Sequence, residues 1–351
     1  MVVIQHRSLS LAFLLFCGFP FSTEAADPDA KRPISHVLFG SCIKQDQPAP
    51  ILKTMVAERP DLVLLTGDNI YADTEDMRVM RRQYQTLADK PAFQMLSNAC
   101  PMLATWDDHD FGVNDGGAEY PKRIESQQAF LDFFGVPSDS PRRHREGIYD
   151  AKVIGPPGKR LQVILLDTRF FRSPLRKGDK RVGGPYYPDA DPKKSMLGET
   201  QWRWLEQRFC DPADIRLVVT SIQFVASASG QECWSNLPGE RERMLRLIRS
   251  TKAEGVIFLS GDRHWSEVSA TNSQMPYPIY DVTCSSLNQM HARGTPTENR
   301  FRVIPTTFHR ENYGLMTINW DTSDPTIAIS IRDIQGISQI NLNLSRSTLE
   351  F

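Results

Sequence analysis

Short apolar runs that stop abruptly at a polar or small residue set the rhythm of this chain. His36 to Phe39 runs into Gly40-Ser41-Cys42, Asp61 to Leu65 into Thr66-Gly67-Asp68, and Met102 to Trp106 into Asp107-Asp108-His109-Asp110. Leu161 to Leu166 ends at Asp167, Ile215 to Val219 leads toward Ser221 and Gln223, and Val256 to Leu259 leads into Ser260-Gly261-Asp262-Arg263-His264. Runs of this length, rich in leucine and β-branched residues and lacking polar alternation, predict strands buried on both faces. Between them, helical periodicity runs over Pro50 to Glu58, Met77 to Ala88, Arg123 to Phe134, Thr200 to Arg208 and Glu240 to Arg249. Strand and helix in alternation predict an α/β fold with largely parallel neighbours.

The C-terminal end changes manner. Leu315 to Trp320, Thr326 to Arg332 and Ser338 to Leu344 are β-type runs separated by Asp321 to Pro325 and by Gln335-Gly336, which predicts an antiparallel meander completing a second sheet. A two-sheet β-sandwich flanked by helices fits this pattern better than a single doubly wound sheet. Ser173 to Leu197, rich in Gly, Pro, Lys and Asp, has no periodicity and predicts a long loop over the site.

The N-terminal stretch has another character. His6 and Arg7 precede an apolar run from Leu9 to Phe21, followed by small residues ending at Ala25 and Ala26. That layout predicts a signal peptide over residues 1–25 and an exported protein, periplasmic or extracellular; the run is too short for a spanning helix. One catalytic domain is expected from residue 26 to 351. The mature chain keeps Cys42, Cys100, Cys210, Cys233 and Cys284, an odd number; Cys210 with Cys233 is the disulfide to test first, and Cys42 the expected free thiol. At 351 residues, 40% hydrophobic and 24% charged, the chain has ample material for a core. Its formal net charge of -1 gives no general reason to expect a nucleic-acid or membrane partner, and a monomer is expected.

Nearly every concentrated polar cluster follows a strand-like run, and in α/β folds ligands bind beyond the carboxyl ends of strands. Any one cluster is most simply a turn or helix cap; five in succession point to one shared site. Asp68 offers a carboxylate and Tyr71 a phenol, a strong ligand for trivalent iron as its anion. Asp107, Asp108 and Asp110 surround His109, a density of negative charge that repels itself unless a cation is near. Asn114 adds a further oxygen donor. Asp262 and His264, at i and i+2, are expected to face one side of an extended segment, with Arg263 turned away.

The ordered set Gly40-Ser41-Cys42, Gly67-Asp68-Asn69-Ile70-Tyr71, Trp106-Asp107-Asp108-His109-Asp110, Leu166-Asp167-Thr168-Arg169 with Arg172, Gly261-Asp262-Arg263-His264-Trp265 and Glu311-Asn312-Tyr313-Gly314 resembles the PhoD-like, or alkaline phosphatase D, group of the calcineurin-like metallophosphoesterases. The resemblance spans most of the mature chain, without room for the β-sandwich domain that often precedes the catalytic domain in that group. It implies a two-sheet sandwich between helical layers, with a multi-metal site at the strand ends and an activity toward phosphate mono- or diesters. On that resemblance Asp68 is the bridging carboxylate and Tyr71 the iron-binding tyrosinate. Cys42 stands where relatives have the histidine of an Asp-x-His pair, Gly40 replaces the aspartate, and His264 matches the last histidine of Gly-His-x-His.

Asp108 stands in place of the asparagine of Gly-Asn-His-Asp, and Asp262 in place of the first histidine of Gly-His-x-His. Gln223 falls near a position where another histidine ligand is usual; with Asn114 it is read as substrate-side. Oxygen donors in place of nitrogen argue against zinc and for calcium at the second position, with manganese or magnesium less favoured, beside ferric iron at the first. The expected chemistry is in-line attack on phosphorus by a metal-bound hydroxide, with His109 stabilising the transition state or protonating the leaving oxygen. Arg169 and Arg172 either clamp phosphate oxygens or stiffen the site through ion pairs with Asp167 or Asp110. Alternatives within the class are diesterases acting on teichoic acid, phospholipid or nucleic acid; an alternative outside it is a secreted calcium-binding module. Nothing in the sequence assigns Tyr186, Tyr187 or His291 to substrate.

Overall fold

The computed structural model describes residues 31–181, 183–227, 230–291 and 298–351. The expected signal segment lies outside the described residues. Strands follow in the order β1 (His36–Gly40), β2 (Leu62–Thr66), β3 (Met102–Thr105), β4 (Asp150–Ile154), β5 (Leu161–Leu165), β6 (Arg176–Arg181), β7 (Gly184–Tyr187), β8 (Ile215–Val219), β9 (Val256–Ser260), β10 (Glu267–Thr271), β11 (Ile279–Thr283), β12 (Asn312–Asn319), β13 (Thr326–Asp333) and β14 (Ser338–Ser345). The helices are α1 (Ile51–Ala57), α2 (Met77–Ala88), α3 (Pro91–Ala99), α4 (Asp108–Phe111), α5 (Arg123–Phe133), α6 (Gly198–Phe209) and α7 (Pro238–Thr251).

Two six-stranded mixed sheets result, ordered β14-β13-β12-β1-β2-β3 and β10-β11-β9-β8-β5-β4. β1, β2 and β3 run parallel, as do β5, β8, β9 and β11. All six strands read from the apolar runs are present. The C-terminal antiparallel meander completes one of the two sheets, as expected, and does so on the sheet that the chain's first strands began, with β12 pairing antiparallel with β1. β4, β10 and β11 went unread because their half-polar composition gives neither a continuous apolar run nor a clean period. Ser173 to Leu197 is not structureless either: β6 and β7 pair there as a hairpin.

β2 shows why the central strands lack alternation. Leu62 and Leu64 join the core between the sheets, whereas Val63 and Leu65 join a second core beneath the first helical layer, with Leu52, Met55, Leu87, Leu96 and Phe130. Both faces are apolar because both are covered. On the other sheet α6 and α7 bury Trp202, Leu205, Phe209, Met244 and Ile248.

The expected Cys210–Cys233 disulfide is absent, and all five described cysteines are free. Cys210 is exposed just past α6, while Cys233 is buried with its Sγ 2.9 Å from Ser235 Oγ. The two thiols belong to different environments and do not meet.

Candidate metal centre

The carboxyl ends of β1, β2, β3 and β9 open on one place, and the backbone there leaves ordinary strand geometry. Cys42, Asp68, Asp262 and His264 have φ of 63°, 50°, 67° and 56°, left-handed values uncommon outside glycine. Such strain persists only where surrounding structure enforces it, and it gathers at functional sites. Gly67, at φ 114°, makes the turn into Asp68; a Cβ there would lie 2.7 Å from the Asp107 Cβ. Asp107 caps α4, and Asp110 Oδ1 accepts from the Asp107 N–H at 2.7 Å, closing a capping box that fixes Asp108 and His109 between them.

Cys42 is fully buried, with Sγ 3.5 Å from Asp68 Oδ2 and 3.1 Å from Ser285 Oγ. The Tyr71 hydroxyl lies 3.3 Å from Asp68 Oδ2 and 3.0 Å from His264 Nε2. Donor atoms within 4.8 Å of one another form four overlapping groups among the described residues: Cys42, Asp68 and His264; Asp68, Asp108 and His109; Asp68, Asp107, Asp108 and Asp262; and Asp108, Asp115 and Glu232. Asp68 belongs to three of them. Asp262 and His264 are therefore not side by side on an extended segment: with both residues left-handed, they flank Asp68 in different groups. Arg263 does not turn away; its guanidinium pairs with Asp262.

Electrostatics mark this cluster as incomplete without positive charge. Burial, then the neighbouring Cys42 and Asp108, push the Asp68 carboxyl well above its usual range. Burial and Asp68 push up the Tyr71 phenol, and burial raises the Cys42 thiol. Burial, with Arg263 and His109 nearby, lowers His264 to about 4, leaving the imidazole neutral with a lone pair to give. Asp107 Oδ2 is buried without a hydrogen-bond partner. A thiol, a phenol, a neutral imidazole and several carboxylates converging in this way fit one or more cations, which would take the place of the protons.

His109 stands at the rim. Its Nδ1 is 2.8 Å from Asp73 Oδ1, and its ring packs on Tyr71 with centroids 4.3 Å apart. Burial opposes its charge, but Asp108, Asp68 and Asp73 outweigh that and raise it to about 10.

The two arginines read as phosphate clamps are turned inward. Arg169 Nε donates to Asp107 Oδ1 at 2.6 Å, and its guanidinium also pairs with Glu232 at 2.7 Å. Arg172 pairs with Glu232 at 3.2 Å, and both arginines are buried. The ion-pair expectation thus holds with different partners: Asp167 accepts from the backbone N–H of Arg169, not from its guanidinium, and Asp110 is engaged with Asn69 and Asp107. Gln223 is buried away from the cluster, its amide donating to Glu267 at 2.7 Å and Thr283 at 2.9 Å. Asn114 is exposed; its neighbour Asp115 faces inward, the Asp115 N–H donating to Asp108 Oδ2 at 2.6 Å.

Four participants went unread in the sequence. Asp73 lies five residues past Asp68, and Asp115 just past Asn114, so both were within sight of a motif. Ser285 follows the end of β11 and was hidden with that strand; its Oγ also accepts from the His264 N–H at 2.8 Å. Glu232 carries no local signal, since its partners Arg169 and Arg172 and its neighbours Asp108 and Asp115 are all distant in sequence.

The model of the PhoD-like phosphatase family matches residues 38–313, most of the chain. Alkaline phosphatase D of Bacillus subtilis (strain 168) is 25% identical over 283 residues, covering 69% of this chain and 48% of that protein. The chain thus spans about half the length of the curated relative it matches. Among solved structures, that of PhoD superposes with a TM-score of 0.63 at 19% identity over 92% of this chain and 73% of the other. A dimetal phosphatase from Danio rerio gives 0.54 at 14% identity, over 90% of this chain and 100% of the other. The two-sheet mixed α/β architecture is shared with both. A matched stretch running from β1 to β12, and so taking in every strand end that feeds the cluster, assigns the chain to the PhoD-like phosphatase family.

Proposed function

We propose that the chain is an exported, metal-dependent hydrolase of phosphate mono- or diesters, acting as one catalytic domain from residue 26 onward. The observation that carries this reading is the sharing of Asp68 among three donor groups, which suits a carboxylate between two cations. Cys42, Asp68, Tyr71 and His264 would hold one, and Asp68, Asp108 and Asp262 the other. Thiol and phenol favour ferric iron at the first; an all-oxygen set favours calcium at the second. Cations bound there supply Lewis acidity toward phosphoryl oxygens and lower the pKa of a water nucleophile.

The chain's own residues do the rest. Asp73 orients the His109 imidazole, which holds a proton at the rim and delivers it to the leaving oxygen. Asp107 is the buried anchor: Arg169 and Ser221, the latter at 2.6 Å, fix its Oδ1. Export rests on the layout of the first 25 residues; no helix among the described residues is long and apolar enough to cross a membrane. The His109–Asp73 pair at the rim favours catalysis over a calcium-binding module, which has no use for an oriented proton donor. A panel of phosphate mono- and diesters, assayed with and without chelator alongside elemental analysis, tests the proposal. Chelator-resistant hydrolysis, or no hydrolysis by metal-replete protein, would refute it.

A further inference from the structure

With Arg169 and Arg172 committed to Asp107 and Glu232, any side-chain cation that meets the rest of an anionic substrate has to come from another element. The β6–β7 hairpin offers one. β6 reads Arg176-Lys177-Gly178-Asp179-Lys180-Arg181, four cations to one acid in six residues of a chain with net charge -1. Lys177 is exposed, lies opposite Tyr186 in the antiparallel register, and sets its Nζ 5.5 Å from the Tyr186 ring centroid. Opposed residues share a face of the ribbon. Lys177 therefore looks the same way as Tyr186, whose hydroxyl donates to Asp115 Oδ2 at 2.6 Å. Asp115 in turn holds Asp108 through its backbone N–H. The Tyr186 N–H also donates to the Gly230 carbonyl at 3.0 Å, tying the hairpin to the loop that carries Glu232. Arg176, opposite Tyr187, is on the other face.

We propose that Lys177 is a specificity-determining residue. Its ammonium, steadied on the Tyr186 ring at the edge of the metal centre, receives a second anionic group of a substrate whose first phosphate is at the cations. This rests on the reading given under Proposed function and adds its substrate class: phosphate esters bearing a further phosphate, preferred over esters with one. The lysine reads charge and not a base or sugar, because a flexible ammonium is a point charge without a directional fork.

The test is calorimetric titration of the full chain, purified with its own metals, with thymidine 5′-phosphate and thymidine 3′,5′-bisphosphate, each as its hydrolysis-resistant methylenephosphonate isostere, ligands that differ by one phosphate equivalent. A polyol bisphosphate is run beside its monophosphate as the same isosteres. The bisphosphate is expected to bind about three- to fivefold tighter in both pairs, the scale of one exposed ion pair, with the ratio shrinking as salt is raised. Lys177→Gln should bring the ratio to about one and Lys177→Arg should keep it. Each ratio is taken on a single preparation, so loss of folded protein cancels. A ratio of one in the parent chain, a ratio untouched by Lys177→Gln, or a gain confined to the nucleotide would overturn the proposal while leaving the metal-site reading standing. Failure of every phosphate ligand to bind would overturn both.

Discussion

The Tyr71 hydroxyl and His264 Nε2 lie 3.0 Å apart across 193 residues of chain. Neither residue has a charged side chain in its usual state, yet each stands beside Asp68 or its ligand group, and together with Cys42 they surround one carboxylate with a phenol, an imidazole and a thiol. If a ferric ion is held there, replacing Tyr71 by Phe should abolish a visible charge-transfer band while the far-ultraviolet dichroism stays that of the parent. A colourless, iron-free parent with full activity would remove iron from the assignment.

Asp68 is the group whose loss should be most complete. Asp68→Asn is expected to lower hydrolysis by more than about 100-fold and to strip both metals, since ligand-supporting changes alone cost 10- to 100-fold. The metal-free variant should be no less stable than the metal-free parent, because a buried carboxylate crowded by like charge is gone. Thermal melts in chelator, with elemental analysis before it, check both halves.

Arg169 separates a structural role from a substrate clamp. Arg169→Met leaves Asp107 buried without its guanidinium and Glu232 with Arg172 alone, a loss of about 3–5 kcal/mol by the usual cost of breaking a buried pair. Denaturant titration should show the drop. A variant of parental stability whose only defect is a raised KM would restore the clamp.

Asp73 acts through His109 and not on substrate. Asp73→Asn is expected to reduce kcat by about 10- to 100-fold, less than the roughly 100- to 10,000-fold that a general acid contributes because His109 itself remains, while KM moves less than about twofold. An equal effect on both parameters, or none, would place the oriented proton elsewhere.

How much of this was legible depended on distance along the chain. The six central strands were readable because a strand covered on both faces leaves an uninterrupted apolar run, and each site motif was readable because strand ends deliver residues a few positions later. β4, β10 and β11 were not, since strands with a polar face mixed into a buried sheet follow no single period.

The sequence by itself determined the two-layer α/β class, the strand-end motifs and, through Cys42, Tyr71, Asp108 and Asp262, the donor types offered to a cation. Only the tertiary structure decided that Asp262 and His264 join Asp68 in different donor groups, that Arg169 and Arg172 serve Glu232, that the last strands close on the first, and that Lys177 packs over the Tyr186 ring. The division has a physical cause. Periodicity and local chemistry are written over spans of a few residues. Charge pairing and left-handed backbone, by contrast, are selected by whichever distant groups share the low-dielectric interior.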